Sequence, residues 1–200
     1  NYGIAEFSWA DSSLVRYFDF SSELFDKNFR GNDGVRLDSD TFLFGSMHTN
    51  DPINNIGSVW LLKDKKISKI TDNHIPNSFI RTKDLVLISD SYKKIIYIYS
   101  IKNNKIDGIW ADVSHQNGNP DGGFVVDDEY FYLAFWGASK IVKFNIKGDY
   151  LDDLILPVKN PTNCKRFDDE MIITTAFDPE YPVTKRCNMS DGKLFTADLF

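Results

Sequence analysis

An all-β chain assembled from repeated four-stranded sheets is the fold this sequence predicts, on three observations. Helical periodicity is weak throughout, whereas short runs rich in Ile, Val, Phe and Tyr alternate with Asn, Asp, Gly and Lys punctuation, the pattern of many short strands. Four segments then share one design, an acidic residue opening a short apolar strand: Asp40 before Thr-Phe-Leu-Phe-Gly, Asp84 before Leu-Val-Leu-Ile-Ser, Glu129 before Tyr-Phe-Tyr-Leu-Ala and Glu170 before Met-Ile-Ile-Thr-Thr. These openers recur at intervals of 44, 45 and 41 residues.

The elements between them follow in order. After each opener's strand comes an apolar and aromatic ladder, in Gly57-Ser-Val-Trp-Leu-Leu, Lys94-Ile-Ile-Tyr-Ile-Tyr and Ser139-Lys-Ile-Val-Lys-Phe. A turn and a fourth strand complete the unit, as in Ile146-Lys-Gly-Asp-Tyr-Leu, where Gly148 supplies the positive φ of a tight hairpin. Four strands in about 44 residues make a blade that cannot bury both faces alone, so several must pack around an axis as a β-propeller. At the N-terminus, Trp9-Ala-Asp-Ser-Ser-Leu-Val-Arg-Tyr matches Trp136-Gly-Ala-Ser-Lys-Ile-Val-Lys-Phe without a gap at an offset of 127, close to three periods, so the chain opens inside a blade. The expected division is a single propeller domain over 1–200: a partial blade 1–31, then blades 32–75, 76–119, 120–161 and 162–200, about four and a half in all.

Composition excludes several classes. The chain has 29 acidic against 23 basic residues and a formal charge of -6, with no basic stretch able to neutralise phosphates, which argues against nucleic acid as a partner. Apolar runs such as Tyr130 to Trp136 are far shorter than a membrane-spanning helix requires, so a soluble protein is expected. Cys164 and Cys187 make neither a disulfide framework nor a zinc site and are expected as buried free thiols. Asn1-Tyr2-Gly3 begins without Met and without a basic-then-apolar leader, consistent with a trimmed or processed start. The sequon Asn188-Met189-Ser190 permits glycosylation, and the compartment stays open between cytoplasm and secretion.

Between Arg30 and Ala176 the chain resembles the family of regucalcin (SMP-30), gluconolactonases and luciferin-regenerating enzymes. The resemblance rests on Arg30-Gly-Asn-Asp-Gly-Val-Arg-Leu-Asp38, Gly45-Ser-Met47, Ile75-Pro-Asn77, Pro120-Asp-Gly-Gly, the run from Trp136 to Phe144, Leu156-Pro-Val and Pro161-Thr-Asn-Cys164, in that order. It implies a six-bladed propeller with one divalent metal at the top of the central channel, hydrolysing lactones of sugar acids. Asn77 and Asp121 are similar to two of the family's metal ligands, Asp121 also to its general base, and Arg30 and Asn32 to its substrate-contacting pair, with Asn32 able to reach the metal through water. The family's further Glu ligand belongs to a first blade upstream of this chain, and Glu6 lies too near Asn32 and in an outer part of its blade to replace it readily. After Met47, where lactonases of the family often carry a Glu that contacts substrate hydroxyls, His48, Thr49 and Asn50 stand instead, which makes Asn50 the candidate substrate contact there.

The repeat register points to the same residues without the family. Asn32, Asn77, Asp121 and Asn163 fall 8, 7, 8 and 7 residues before their blades' openers, equivalent places expected just ahead of the innermost strand, in a ring around the axis. Carboxylate and amide oxygens suit a hard cation such as Ca²⁺, Mg²⁺ or Mn²⁺, and Zn²⁺ is tolerated. The bland alternative is that each makes a side-chain turn with nearby backbone. Lactone hydrolysis needs an activated water, a polarised carbonyl and a stabilised oxyanion, which a cation beside a carboxylate base supplies. His48, His74 and His115 have unrelated repeat positions and are expected as solvent-exposed turn residues. Trp9, Trp60, Trp110 and Trp136 are expected to pack within blades, with Trp136 also able to line the channel mouth. Gly122-Gly123 is expected to mark close backbone approach. No Gly-x-Ser-x-Gly elbow is present. The sequence thus predicts either a metal-dependent lactonase acting on a small lactone or, in another class, a non-catalytic propeller binding a small ligand, a cation or a protein.

Overall fold

In the computed structural model, which describes residues 3–19, 28–177 and 192–200, the strands form consecutive antiparallel sheets. A hairpin of β1 (Gly3–Ser8) and β2 (Ser13–Asp19) comes first. Three four-stranded blades follow: β3 (Phe29–Arg36), β4 (Thr41–His48), β5 (Ser58–Lys63) and β6 (Lys66–Asp72); β7 (Pro76–Arg81), β8 (Leu85–Asp90), β9 (Ile95–Ser100) and β10 (Lys105–Asp112); β11 (Asn119–Val126), β12 (Tyr130–Trp136), β13 (Lys140–Asn145) and β14 (Tyr150–Ile155). Next come β15 (Pro161–Phe167), β16 (Glu170–Thr175) and β17 (Leu194–Asp198). Cys187 and the sequon at Asn188 lie outside the described residues. The first full sheet starts at Phe29, slightly ahead of the position expected from the repeat.

Turn chemistry fixes the register. Asp64 and Lys65, the two-residue loop between β5 and β6, and Asp127 and Asp128, in the three-residue loop between β11 and β12, all have φ between 50 and 61°, the left-handed pair that a tight hairpin turn demands. Gly148 has φ 82° at the turn before β14. Each acidic opener marks the start of a second strand: β4, β8 and β12 begin one residue after Asp40, Asp84 and Glu129, and β16 begins at Glu170.

Alternation across the pleat explains why these second strands read as unbroken apolar runs. On β12, Phe131, Leu133 and Phe135 join a core shared with Ile80, Leu87 and Ile96 of the preceding blade. The intervening Tyr132 and Ala134 join a core with Cys164, Met171 and Ile173 of the following one. On β8, Val86 and Ile88 turn toward Leu43, Val59 and Leu61 while Leu87 turns away. Blades buried on both faces cannot alternate with polar residues. The first strands, β3, β7, β11 and β15, pack successively on one another and so line the axis of a propeller.

Candidate functional site

All four axial strands leave ladder register at the same height: between Gly31 and Gly34, Asn77 and Ile80, Pro120 and Gly123, and Pro161 and Asn163. A bulge frees residues from pairing and re-aims their side chains. Asn32, Asn77, Asp121 and Asn163 stand in or beside these bulges, within the inner strands and not ahead of them as the repeat had suggested. The reason is local: the bulge gives strand residues the freedom expected of a loop. In β7 it places Ser78 and Phe79 at φ 74 and 32°.

Arg30, Asn32, Asn77 and Asp121 meet in a cavity of about 300 Å³, lined also by Met47, Ile75, Ser91, Asn119, Pro120 and Trp136. A hydrogen-bonded chain crosses three blades there. Arg30 Nη1 donates to Asn32 Oδ1 at 2.8 Å, and Asn32 Nδ2 donates to Asn77 Oδ1 at 3.0 Å and to the Pro76 carbonyl at 2.9 Å. Asn77 Nδ2 then donates to Ser91 Oγ at 3.1 Å, and the Ser91 hydroxyl donates to the carbonyl of Pro120, beside Asp121. The Ser78 hydroxyl donates to the Asp121 carbonyl at 2.6 Å.

Asp121 is the charge at the centre. Burial raises its carboxyl to about 7, the Asp33 charge adding to the rise, while the Gly122 N–H and Arg30 oppose it. Asp33 is itself raised, chiefly by burial, against the Gly34 N–H and Lys165. Lys165 Nζ donates to the Gly123 carbonyl at 2.6 Å. Asn163 Oδ1 is buried without a hydrogen-bond partner. The half-buried Asp121 carboxylate and the Asn77 amide oxygen, both on the cavity wall, are oxygen donors of the kind that fits a hard cation with water completing the shell, whereas Asn163 Oδ1 stands against Gly122 outside the lining. Among the described residues no three His, Cys, Asp or Glu side chains gather as a metal cluster.

Gly122 is required by that packing. A Cβ on it would lie 2.2 Å from Asn163 Cγ, and one on Gly123 would lie 2.3 Å from the Tyr132 carbonyl oxygen. Gly122→Ala should therefore cost about 1–3 kcal/mol in urea unfolding, and Gly122→Ala/Asn163→Ala should recover most of the loss by vacating the space. Additive losses would mean that the two residues do not press on each other.

Other candidates fall elsewhere. Asn50 is exposed, outside the cavity lining, and its N–H points at His48 Nδ1 at 3.3 Å. Glu6 is exposed on the β1–β2 hairpin and lines a separate cavity with Arg36 and Phe42. Two histidines are not the solvent-exposed turn residues expected. His48 is half-buried, its Nδ1 also accepting the Asp51 N–H at 2.9 Å, and so caps its own turn. His74 is 11 % exposed and pairs through Nδ1 with Asp90 Oδ2 at 3.0 Å. His115 is exposed. Trp110 packs on Phe131 and Phe144, and Trp60 donates to Ser46 Oγ, but Trp9 is 89 % exposed, edge-on to Phe7, and not packed in a blade core. Cys164 is buried, its thiol pushed up chiefly by burial.

Asp33, Ser91, Met47 and Ile75 were missed as site residues. Met47, Ser91 and Trp136 each stand seven residues after their openers, so the repeat register held them as a second ring. Asp33 carried no such signal, because period-two counting breaks down inside a bulge.

The arrangement defines a β-propeller with an oxygen-rich axial cavity. Over residues 1–177 the chain matches the SMP-30/Gluconolactonase/LRE-like region family, and it belongs to that family. Its fold is similar to a calcium-binding protein, regucalcin, from Agrobacterium tumefaciens, with a TM-score of 0.83 and 20 % identity over 97 % of this chain and 68 % of that one. A luciferin-regenerating enzyme matches with a TM-score of 0.71 and 22 % identity over 82 % of this chain and 58 % of that one. A gluconolactonase from Xanthomonas campestris matches with a TM-score of 0.70 and 17 % identity over 86 % and 62 %. The chain thus spans 58 to 68 % of the length of these relatives.

Proposed function

We propose that this chain forms the greater part of the site of a metal-dependent hydrolase that opens a lactone ring. One observation carries the reading: three successive axial strands deliver Arg30, Asn32, Asn77 and Asp121 into one cavity, where a desolvated carboxylate faces amide and guanidinium donors. A divalent cation, Ca²⁺, Mg²⁺, Mn²⁺ or Zn²⁺, held by Asn77 and Asp121 would polarise the lactone carbonyl and acidify water.

The chain's own residues do the rest. Arg30 and Asn32 orient the substrate, their guanidinium and amide groups already aligned by the hydrogen bond that Arg30 Nη1 donates to Asn32 Oδ1. Asp121 accepts a proton as water oxygen bonds to the carbonyl carbon. The ring C–O bond then breaks and that proton passes to the departing ring oxygen, leaving a hydroxy acid. Without a cation, burial raises the basicity of Asp121 above that of a solvated carboxylate, and a cation on the same carboxylate would draw it back down.

Proton release from five- and six-membered lactones, followed on chelator-stripped protein and after each cation is restored, tests the reading. Turnover that returns with a cation is the expected result. A second reading, a propeller that binds a small ligand without chemistry, draws on the chain from Arg30 to Pro120, which satisfies its own hydrogen bonds. Cation binding to folded protein with no turnover on any lactone would favour it.

A further inference from the structure

Within the lactonase reading, on which this rests, we infer that the site takes a lactone bearing an alkyl or aryl substituent in preference to one hydroxylated along its ring. The polar groups of the cavity stand on the axial strands apart from Ser91, whose hydroxyl is taken up by the Asn77 amide and the Pro120 carbonyl, and the other flanking positions are apolar. Met47 on β4 pairs with Arg30, and Trp136 on β12 pairs with Asn119, so both lie one strand further from the axis. Ile75 and Pro120 line the space with them. A carbonyl brought to Asp121 directs the remote atoms of its substrate outward, over Met47, Ile75 and Trp136. Hydroxyls there would lose water to thioether, alkyl and indole surface, while methylenes would gain burial.

The turn after β4 does not supply the missing polarity. His48 Nδ1 accepts the N–H groups of both Asn50 and Asp51, Asn54 and Asn55 bond to Asp51, and Asn50 stays outside the lining. At about 300 Å³ the cavity sits at the lower end of small-molecule pockets, room for one ring and a short chain.

The test compares kcat/KM for δ-decalactone and δ-gluconolactone on the full chain with its activating cation. The alkyl lactone should be favoured by about tenfold or more, the discrimination an apolar pocket gives per methylene or two. Met47→Gln and Trp136→Gln, shown by circular dichroism to be folded, should each reduce that preference, and Trp136→Phe should keep it. Equal turnover, or preference for the sugar lactone, would overturn the inference and leave the lactonase standing. If neither lactone is hydrolysed the lactonase reading fails, and tryptophan-fluorescence titration with the two lactones decides the inference: weaker or equal binding of δ-decalactone overturns it.

Discussion

Asp121→Asn should reduce lactone turnover by about 10³-fold or more, the range expected for loss of a general base, and yet make the metal-free chain more stable at pH 8. The two effects have one cause. Burial holds the folded carboxyl at about 7 against an ordinary 3.8, so the ionised group is out of place in the folded state. A carboxyl raised on folding contributes stability that is fully present below its unfolded value and is lost as pH rises through its folded value. The metal-free chain should therefore weaken between about pH 4 and pH 7 on this account. The distance between those two values sets a ceiling of about 4 kcal/mol. Part of the carboxylate remains solvated and it titrates together with Asp33, so about 2 kcal/mol is expected. Asparagine keeps the shape and has no charge to desolvate. Urea melts in chelator at pH 5 and pH 8 should show the variant gaining on wild type only at the higher pH, with a melting temperature about 5 °C higher there. A variant less stable than wild type at pH 8 would show that Asp121 is charged and satisfied without a cation. Function held at the expense of stability is what a cation site or a catalytic base requires.

Much of this architecture was legible because propeller blades repeat. Openers at 40, 84, 129 and 170 located the second strand of each sheet from β3 onward, and counting back from them located Asn32, Asn77 and Asp121, which line the cavity, and Asn163, which stands against Gly122. Counting forward would have found Met47, Ser91 and Trp136 equally well. What escaped was set by long-range returns of the chain, by a bulge and by a side-chain cap. His74 is a loop residue by sequence, and only the return of β8 beneath it brings Asp90 within 3.0 Å. Asp33 lies in a bulge, where alternation no longer tells which way a side chain faces. Asn50 follows an ordinary strand end, and its distance from the cavity depends on a cap made by His48, a residue type that gives no local warning of that role.

Asp90→Ala should cost about 3–5 kcal/mol and lower the melting temperature by about 10 °C, the largest stability effect foreseen outside the blade cores. The carboxylate is 1 % exposed and gathers four donors: the His74 N–H and ring Nδ1 at 3.0 Å each on Oδ2, and the Tyr92 and Lys93 N–H groups at 3.2 Å each on Oδ1. Removing it leaves those part-buried N–H groups unpaired around a buried void, which costs more than the bonds themselves contribute. Asp90→Asn should cost less, because its one acceptor oxygen retains part of the set. The consequence reaches the site through one residue. Ser91 follows Asp90 directly, accepts from Asn77 and donates to the Pro120 carbonyl, so the turn that Asp90 ties down also holds the Asn77 amide that is the proposed cation ligand. Cation affinity, measured by calorimetry on variants that remain folded at low temperature, should therefore fall in Asp90→Asn together with stability, whereas Ser91→Ala, which removes one hydroxyl and its two bonds, should weaken the cation at a cost in stability of only about 1–2 kcal/mol. A Ser91→Ala variant with unchanged affinity would mean that Asn77 is held in place by Asn32 alone, and that the hydrogen-bonded chain ends there.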